Sequence, residues 1–380
     1  LLFLLALRET VHIQTWSVWL TVPLALLLFS FSQFENWLLP FQVSFTATTF
    51  GLACVVYALA TSSVGLRSFL VAAVGALIAS LSNLDGLLVW IVFLPAVLRA
   101  GRRWALTWAA LAIAVIVPYF VGFENSSTGI RPLAMIGYTL AYLGAPVGFP
   151  SLLPSQLAGG VSIALVLVNL WMYRSLRGVI APLVVWIGLA WFALACAVTT
   201  AAGRAAQLGN AQALSSRYQA FAALWWVALV VIGWLTAQRW LNTPSSGSRR
   251  FPRLSLGTLL IDGVALGLTC LGLAHTNVTG FHDASMWLDA ERYDQQCIVQ
   301  FRSAADSCLA LYYPDPTEVR RKAAILEREH MAIFAGKAGS TTYVEFAVQD
   351  HSCDRWRGVR WVKPCNLVSK SVPGHACHSC

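Results

Sequence analysis

Polar side chains interrupt the apolar sequence in a few short segments, and the first of these is Ser32–Trp37. It places the carboxylate of Glu35 beside amide and aromatic side chains. Such a carboxylate can act as a general base or a metal ligand, and Trp37 can stack on a sugar or a lipid headgroup. The alternative is an interfacial turn in which Glu35 is a solvated cap and Trp37 anchors the chain at the membrane surface. The sequence alone favours this alternative.

The second candidate is Asp85, at the tip of the short segment Asn83-Leu84-Asp85-Gly86 between two apolar runs. Its carboxylate has the chemistry to ligate a divalent cation beside substrate phosphates. The alternative is an N-cap for a helix that begins at Gly86, and the sequence favours this role.

The third candidate is the loop from Arg204 to Tyr218. A guanidinium group binds phosphate or pyrophosphate through two parallel hydrogen bonds. Arg217, with Tyr218 beside it, is therefore a candidate phosphate ligand, as are Arg204 and Arg131. The alternative, which stays open, is a salt bridge to an acid expected on the same side: Glu35, Asp85 or Glu124.

The composition shows which elements must position these residues. The chain has 380 residues, of which 57% are hydrophobic and 11% are charged, whereas soluble proteins are about 25% charged. Residues 1–274 hold 14 basic and 5 acidic side chains, and residues 275–380 hold 12 of each. We therefore predict a polytopic transmembrane domain over 1–274 and a small, mainly helical domain over 275–380. The scattered arginines give no support for nucleic-acid binding.

About 20 apolar residues are needed to cross a bilayer core. Seven runs meet this requirement: Trp16–Phe34, Phe41–Ala60, Trp104–Val121, Gln156–Tyr173, Ile180–Thr200, Tyr218–Ala237 and Ser255–Ala274. Two shorter runs, Ser68–Ser82 and Gly86–Ala100, are spans or one re-entrant hairpin. The fold class is an all-α integral membrane protein of about nine transmembrane helices. The opening run Leu1–Leu7 predicts the tail of a helix that begins upstream.

The apolar segment Leu133–Phe149 contains several Gly and Pro residues. It predicts an interrupted element that lies in the membrane interface over a cavity. With nine spans, eleven arginines fall in one set of loops and three, Arg131, Arg204 and Arg217, in the other. The positive-inside rule then places the arginine-rich loops on the cytoplasmic side of a bacterial inner membrane. The C-terminal domain is predicted outside.

The cysteine pattern agrees with an exported C-terminal domain. Six of the nine cysteines follow residue 274, and an even number suits disulfides in an oxidising compartment. Cys297–Cys308 and Cys353–Cys365 are natural local pairs. The terminal pair Cys377 and Cys380 predicts a disulfide, with zinc or haem attachment as alternatives.

The tail also predicts regular elements. Asp283–Ser303 and Ala304–Tyr313 read as helical, and Thr341–Val348 alternates as a strand. Asp315 is predicted to cap a helix that begins at Pro316 and extends to about Phe334.

Several segments resemble a family of large bacterial polytopic membrane proteins with little assigned function. They are Phe31–Gln42, Pro118-Tyr119-Phe120, Tyr142–Pro146, Gln212–Tyr218 and Cys308–Pro314. In layout this family is similar to the GT-C glycosyltransferases, which use a polyprenyl-phosphate sugar and build their sites on the outer face. An Arg-Tyr pair that opens a late span, as Arg217-Tyr218 does, also resembles that superfamily. The resemblance is one of architecture.

The resemblance implies a transferase that moves a sugar from a polyprenyl-phosphate carrier in the membrane to an exported acceptor. Arg217 and Arg204 would bind the phosphate, and Glu35 or Asp85 would contact the acceptor or a divalent cation. The GT-C catalytic acid usually lies in the first external loop, which the resemblance places upstream of Leu1, and this counts against Glu35 as the catalytic base. The alternative function is a non-enzymatic membrane subunit or a flippase for lipid-linked glycans.

Overall fold

The structure is a computed structural model, and it describes residues 1–11, 18–61, 64–121, 131–175, 183–241, 252–310, 312–313 and 315–334. Within these ranges every regular element is a helix, as the predicted fold class requires. The chain forms two compact units, Leu1–Ala290 and Glu291–Cys380. The predicted strand Thr341–Val348 and the four cysteines from Cys353 onward lie outside the described residues.

The helices follow one another with short connections. The α-helices are α1 (Leu2–Val11), α2 (Val18–Leu28), α3 (Phe34–Leu38), α4 (Val43–Ala60), α5 (Leu66–Ser82), α6 (Leu88–Val92), α7 (Leu94–Ala100), α8 (Arg102–Phe120), α9 (Pro132–Gly148), α10 (Leu152–Ser175), α11 (Val184–Leu208), α12 (Gln219–Leu241), α13 (Pro252–Val299), α14 (Asp306–Leu309) and α15 (Pro316–Arg328). The 3₁₀ turns are Phe31–Gln33, Pro40–Gln42, Leu84–Leu87, Asn210–Leu214, Ser216–Tyr218 and Ala332–Phe334.

Among the described residues, five helices are long and apolar enough to cross a membrane: α4, α8, α10, α11 and α12 with its preceding turn. Each overlaps a predicted span. Helix α8 illustrates their surface, because apolar side chains such as Leu106, Ile113 and Val117 are exposed along it. Large exposed apolar faces are rare in water-soluble monomers, so this surface is suited to lipid.

The predicted run Gly86–Ala100 is not one helix. It is divided into the turn Leu84–Leu87, the five-residue α6 and the seven-residue α7. Pro95 lies in the first turn of α7, where its missing N–H costs no helical hydrogen bond. A proline here therefore begins a new helix, and the chain can bend between α6 and α7.

Helix α9 also differs from its prediction. The segment expected to be interrupted is one continuous 17-residue helix, and it packs against α10. A Cβ on Gly144 would overlap the carbonyl oxygen of Ser155, so the two backbones meet where this glycine lies. Glycine favours close helix contact inside a membrane. Because α9 packs closely against α10, the glycines do not interrupt the helix.

Aromatic side chains connect α5, α6 and α8. The Trp108 indole N–H donates to the Trp90 carbonyl at 2.8 Å, and the Trp90 indole N–H donates to Ser80 Oγ at 2.9 Å. Phe69 stacks on Trp104 with ring centroids 4.6 Å apart. This contact places the first turns of α5 and α8 at the same end of the helical unit.

Helix α12 lies at the centre of unit 1, and most of its side chains are buried. The indole N–H of Trp225 donates to Ser162 Oγ at 2.8 Å, and that of Trp226 donates to the Leu143 carbonyl at 2.7 Å. These bonds fix α12 against both α9 and α10. The indole N–H groups of Trp225 and Trp226 are thus satisfied, as the low-dielectric interior requires.

Helix α13 joins two elements that the sequence analysis kept apart. The predicted span Ser255–Ala274 and the predicted helix from Asp283 belong to one 48-residue helix. Asn277 Oδ1 accepts the Phe31 N–H at 3.0 Å, which attaches this helix to the turn before α3. Composition changes at residue 274, but the compact units divide at Ala290 and Glu291.

The described part of unit 2 is held by a disulfide and a small apolar core. Cys297 and Cys308 form the disulfide, as the sequence predicted. The core consists of Cys297, Phe301, Leu309, Val319, Ala323 and Phe334. The Asp315 side chain accepts the Thr317 N–H at 2.9 Å, so the predicted cap of α15 is confirmed.

Candidate functional site

Most of the polar residues that the sequence singled out come together at one end of unit 1. Four segments supply them: α3, the turn before α6, α9, and the connection from α11 to α12. We call this set the polar cluster, and it consists of Glu35, Asn36, Asp85, Tyr138, Tyr142, Arg204, Arg217, Tyr218 and Gln219.

The segment that carries Glu35 is fixed by its own hydrogen bonds. Ser30 Oγ and Ser32 Oγ lie 2.8 Å apart, and Ser30 Oγ also accepts the Ser32 N–H at 3.3 Å. The Gln33 amide donates to the Leu27 carbonyl at 2.9 Å, at the end of α2. These local bonds turn the chain sharply, so the five-residue α3 has a defined position despite its length.

Helix α3 and the turn before α12 are joined by two hydrogen bonds. The Glu35 N–H donates to Ser216 Oγ at 3.1 Å, and the Asn36 amide donates to the Arg217 carbonyl at 3.2 Å. The Glu35 carboxylate lies within electrostatic range of Arg217. Residues 181 positions apart in sequence are therefore in direct contact.

The Arg217 guanidinium lies over the Tyr218 ring, with its Cζ atom 5.4 Å from the ring centroid. Tyr218 in turn stacks on Tyr142 of α9 with ring centroids 5.5 Å apart. Stacking on an aromatic face restricts the guanidinium and supplements its hydrogen bonds with a cation–π attraction. The half-buried Arg217 is thus held from one side by an aromatic pair.

Burial raises the pKa of Glu35 above its usual value, and the Arg217 charge opposes the increase. The carboxylate is half-buried, so desolvation disfavours its ionised form. The sequence alternatives for this residue were a base or a solvated cap. In the structure its backbone N–H bonds to Ser216, and its carboxylate lies within electrostatic range of Arg217.

Asp85 lies on a different side of the polar cluster. Asn83, not Asp85, caps the turn, because its side chain accepts the Asp85 N–H at 3.1 Å. The favoured role of Asp85 as an N-cap is therefore wrong, since the turn begins at Leu84, two residues earlier than expected. The Asp85 carboxylate instead accepts the Thr199 hydroxyl at 3.2 Å.

Burial raises the pKa of Asp85 to about 6, while the Thr199 hydrogen bond and the Arg204 charge oppose the shift. Tyr142 lies within electrostatic range of both Asp85 and Tyr218. Tyr138, one helical turn earlier, lies within range of Arg204 and Arg217. These two tyrosines share a face of α9 and connect the Asp85 side of the polar cluster with the Arg217 side.

The three arginines predicted to bind phosphate differ in their surroundings. Arg217 is half-buried in the polar cluster, and Arg204 is exposed on the last turns of α11. Arg131 is exposed and lies directly before the first residue of α9. Arg204 and Arg217 both lie within electrostatic range of Tyr138.

Several buried polar atoms of the polar cluster have no hydrogen-bond partner among the described residues. They are Asn36 Oδ1, the Tyr142 and Tyr218 hydroxyls, Arg217 Nε and both polar atoms of the Gln219 amide. Buried polar atoms are nearly always paired, so this concentration suits a polar ligand. Gln219 was missed by the sequence analysis, although an amide at the start of a long apolar helix is the kind of signal that marks a site.

Metal binding has little support in the described residues. No group of three or more His, Cys, Asp or Glu side chains suited to a metal ion occurs among them. Asp85 would be a single carboxylate ligand, and a cation would need its remaining ligands from substrate and water. We derive no step through a metal ion.

Comparisons with protein-family models, with curated proteins and with solved structures give no match for this chain. The functional argument therefore depends on the polar cluster itself.

Proposed function

We propose that this chain is a membrane glycosyltransferase, similar in layout to GT-C enzymes, that takes a sugar from a polyprenyl-phosphate carrier. The observation that carries the proposal is Arg217. Its guanidinium is half-buried and stacked on Tyr218, and its Nε has no hydrogen-bond partner among the described residues. A guanidinium with a free edge at the start of a long apolar helix is suited to the phosphate of a membrane lipid.

The reaction follows from the charges around this phosphate. The bond between the sugar and the phosphate oxygen breaks, and the leaving phosphate keeps the electron pair. Arg217, assisted by Arg204, stabilises the resulting anion. The acceptor hydroxyl attacks the sugar and loses its proton to the carboxylate of Asp85, whose pKa of about 6 leaves it mostly ionised at neutral pH.

We place the polar cluster on the outer face of a bacterial inner membrane. Helix α5 runs from Arg67 to the turn that holds Asp85, a distance of about 25 Å for its 17 residues. The Phe69–Trp104 stack sets Arg102 at the same end as Arg67. Arginines at one end and the polar cluster at the other fit a positive-inside orientation, with about nine spans and an exported C-terminal domain. The Cys297–Cys308 disulfide fits export.

The test is the Arg217→Ala variant of the full chain. Membranes that contain it are given a radiolabelled polyprenyl-phosphate sugar, and transfer to acceptor is measured at equal expression. Loss of charged hydrogen bonds worth roughly 1.5–3 kcal/mol each predicts a decrease in rate of about tenfold to 100-fold. The matched control is Arg67→Ala, which removes an exposed arginine at the end of α5 that lies away from the polar cluster. Full activity in the Arg217→Ala variant would refute the proposal.

One observation favours a second function, a non-enzymatic subunit or a flippase for lipid-linked glycans. The contacts of Glu35 are with Ser216 and Arg217, whereas those of Asp85 are with Thr199 and Arg204. Among the described residues the two acids do not form a pair. If the wild-type chain binds a polyprenyl phosphate through Arg217 but transfers no sugar, the second function is the correct one.

A further inference from the structure

Amide side chains from two neighbouring elements meet on one face of α9. A Cβ on Gly137 would lie 2.5 Å from Asn210 Nδ2, in the 3₁₀ turn after α11, and 3.2 Å from Gln156 Nε2 of α10. The Gln156 amide donates to the Gly137 carbonyl at 3.1 Å. The next residue of α9, Tyr138, donates its hydroxyl to Gln212 Oε1 at 3.3 Å. We call Tyr138, Gln156, Asn210 and Gln212 the amide cluster.

The position of Asn210 is determined by the end of α11. Gly209 has a φ of 73°, a left-handed conformation that glycine adopts readily and that commonly ends a helix. Its N–H still bonds to the Ala205 carbonyl at 3.2 Å. The chain therefore leaves α11 at Gly209, and Asn210 begins a turn that packs against α9.

One atom of the amide cluster has no hydrogen-bond partner. Asn210 Oδ1 is buried, and it accepts no hydrogen bond from the described residues. An amide that only joins helices is expected to have its polar atoms paired, as the bonds of Gln156 and Gln212 are. The side chains of Asn210, Gln156 and Gln212 are half-buried and not fully enclosed, so a ligand from outside can supply the missing donor.

The amide cluster adjoins the proposed phosphate ligand. Tyr138 precedes Tyr142 by one turn of α9, a rise of about 6 Å. Tyr142 stacks on Tyr218 with ring centroids 5.5 Å apart, and the Arg217 Cζ lies 5.4 Å from the centroid of the Tyr218 ring. Tyr138 also lies within electrostatic range of Arg217. A ligand with its phosphate at Arg217 therefore has the amide cluster beside it.

We infer that the amide cluster binds hydroxyl groups of the sugar that the lipid phosphate carries, with Asn210 Oδ1 accepting one of them. Sugar hydroxyls both donate and accept hydrogen bonds, as amide side chains do. The four side chains of the cluster are neutral, so they suit a hydroxyl-bearing group better than a second phosphate, which favours charged donors. The inference rests on the proposed function, because it names the part of the donor next to the phosphate.

The test measures the binding of radiolabelled probes to the full chain purified in detergent. One probe is farnesyl phosphate, and the others are farnesyl phosphates linked to mannose, glucose or arabinose. The first variant, Asn210→Ala, removes the amide. The second, Gly137→Ala, removes no hydrogen-bonding side chain, but its Cβ displaces the Asn210 amide. The matched controls are Gly160→Ala, where a Cβ meets nothing within 4 Å, and Gln296→Ala, an exposed amide on α13.

We expect at least one sugar-linked probe to bind the wild-type chain about threefold to tenfold more tightly than farnesyl phosphate, the effect of a net hydrogen bond. Asn210→Ala and Gly137→Ala should lose this preference and bind farnesyl phosphate within about twofold of wild type. Unchanged binding of farnesyl phosphate also shows that a variant is folded. Both control variants should keep the preference.

Two outcomes would overturn the inference alone. The first is a wild-type chain that binds all probes equally, or a preference that survives in both Asn210→Ala and Gly137→Ala. The second is loss of farnesyl phosphate binding in both variants, because the amide cluster would then support the fold and not the sugar.

The proposed function is tested separately by Arg217→Ala. If this variant binds farnesyl phosphate as tightly as wild type, the phosphate site and the proposed function are refuted, whatever the preference for sugar-linked probes. If the wild-type chain binds none of the probes, the proposed function and the inference are refuted together.

Discussion

The substitution Asp85→Asn tests the electrostatics of the polar cluster through stability. Burial raises the pKa of Asp85 from 3.8 to about 6, an increase of about two units. Each unit corresponds to about 1.36 kcal/mol, so the folded state binds this proton more tightly by about 3 kcal/mol. The wild-type chain therefore has a carboxylate whose ionisation opposes folding.

The sign follows from proton linkage. Between about pH 4 and pH 6 the unfolded chain has lost the Asp85 proton and the folded chain retains it. The free energy of unfolding therefore decreases as pH rises through this window, by up to about 3 kcal/mol. Asn cannot ionise, and its carbonyl oxygen can still accept the Thr199 hydroxyl. In the Asp85→Asn variant, the decrease in unfolding free energy that the ionisation of Asp85 causes should therefore be absent.

The assay is unfolding of the full chain in mixed detergent micelles by increasing SDS, followed by tryptophan fluorescence between pH 4.5 and pH 7.5. The difference in unfolding free energy between Asp85→Asn and wild type should grow with pH and level off above about pH 6.5. Glu9→Gln removes an exposed acid and should run parallel to wild type. A difference that is constant over the whole pH range would refute the argument, because the carboxylate would then titrate alike in both states.

Two further predictions concern the helix packing at Gly86 and the disulfide of unit 2. Gly86→Ala places a Cβ against the backbone of Ala79, which cannot yield as a side chain can, so the variant should lose several kcal/mol of stability and elute as aggregate in size-exclusion chromatography. Gly160→Ala, where a Cβ meets nothing within 4 Å, should elute as wild type, and equal behaviour of the two variants would contradict the packing argument. Replacing both Cys297 and Cys308 by Ser opens a disulfide loop of 11 residues, which should cost about 3 kcal/mol and speed trypsin cleavage of unit 2 under non-reducing conditions. Cleavage that stays as slow as in the oxidised wild-type chain would show that the disulfide does not stabilise this unit.

The sequence predicted the positions of the long apolar helices. It did not predict where the chain bends within the shorter apolar segments. Helices α4, α8 and α10 agree with their predicted spans to within four residues at each end, because an apolar run of about 20 residues has few other stable structures. The division of residues 84–100 into a turn and two short helices depended on a bend at Pro95. Helix α13 is continuous past residue 274, where Thr276 donates to the Pro146 carbonyl of α9 and Asn277 accepts the Phe31 N–H, contacts that the sequence did not reveal.

The candidate site was likewise predicted only in part. The sequence identified Glu35, Asp85, Arg204 and Arg217, because charges are rare in an apolar chain and their cost calls for a reason. It did not identify Gln219, whose importance lies in its burial and in the absence of a hydrogen-bond partner among the described residues. Burial is a property of the surroundings and cannot be read from a residue type.

The sequence by itself determined that this is a helical membrane-type chain with a few polar residues and a local disulfide. Those features depend on composition and on distances along the chain, which a sequence states directly. Only the tertiary structure decided that Glu35 contacts Ser216, 181 positions away, and that Asp85 contacts Thr199. Contacts of this kind depend on how helices pack, because packing determines which helix ends meet.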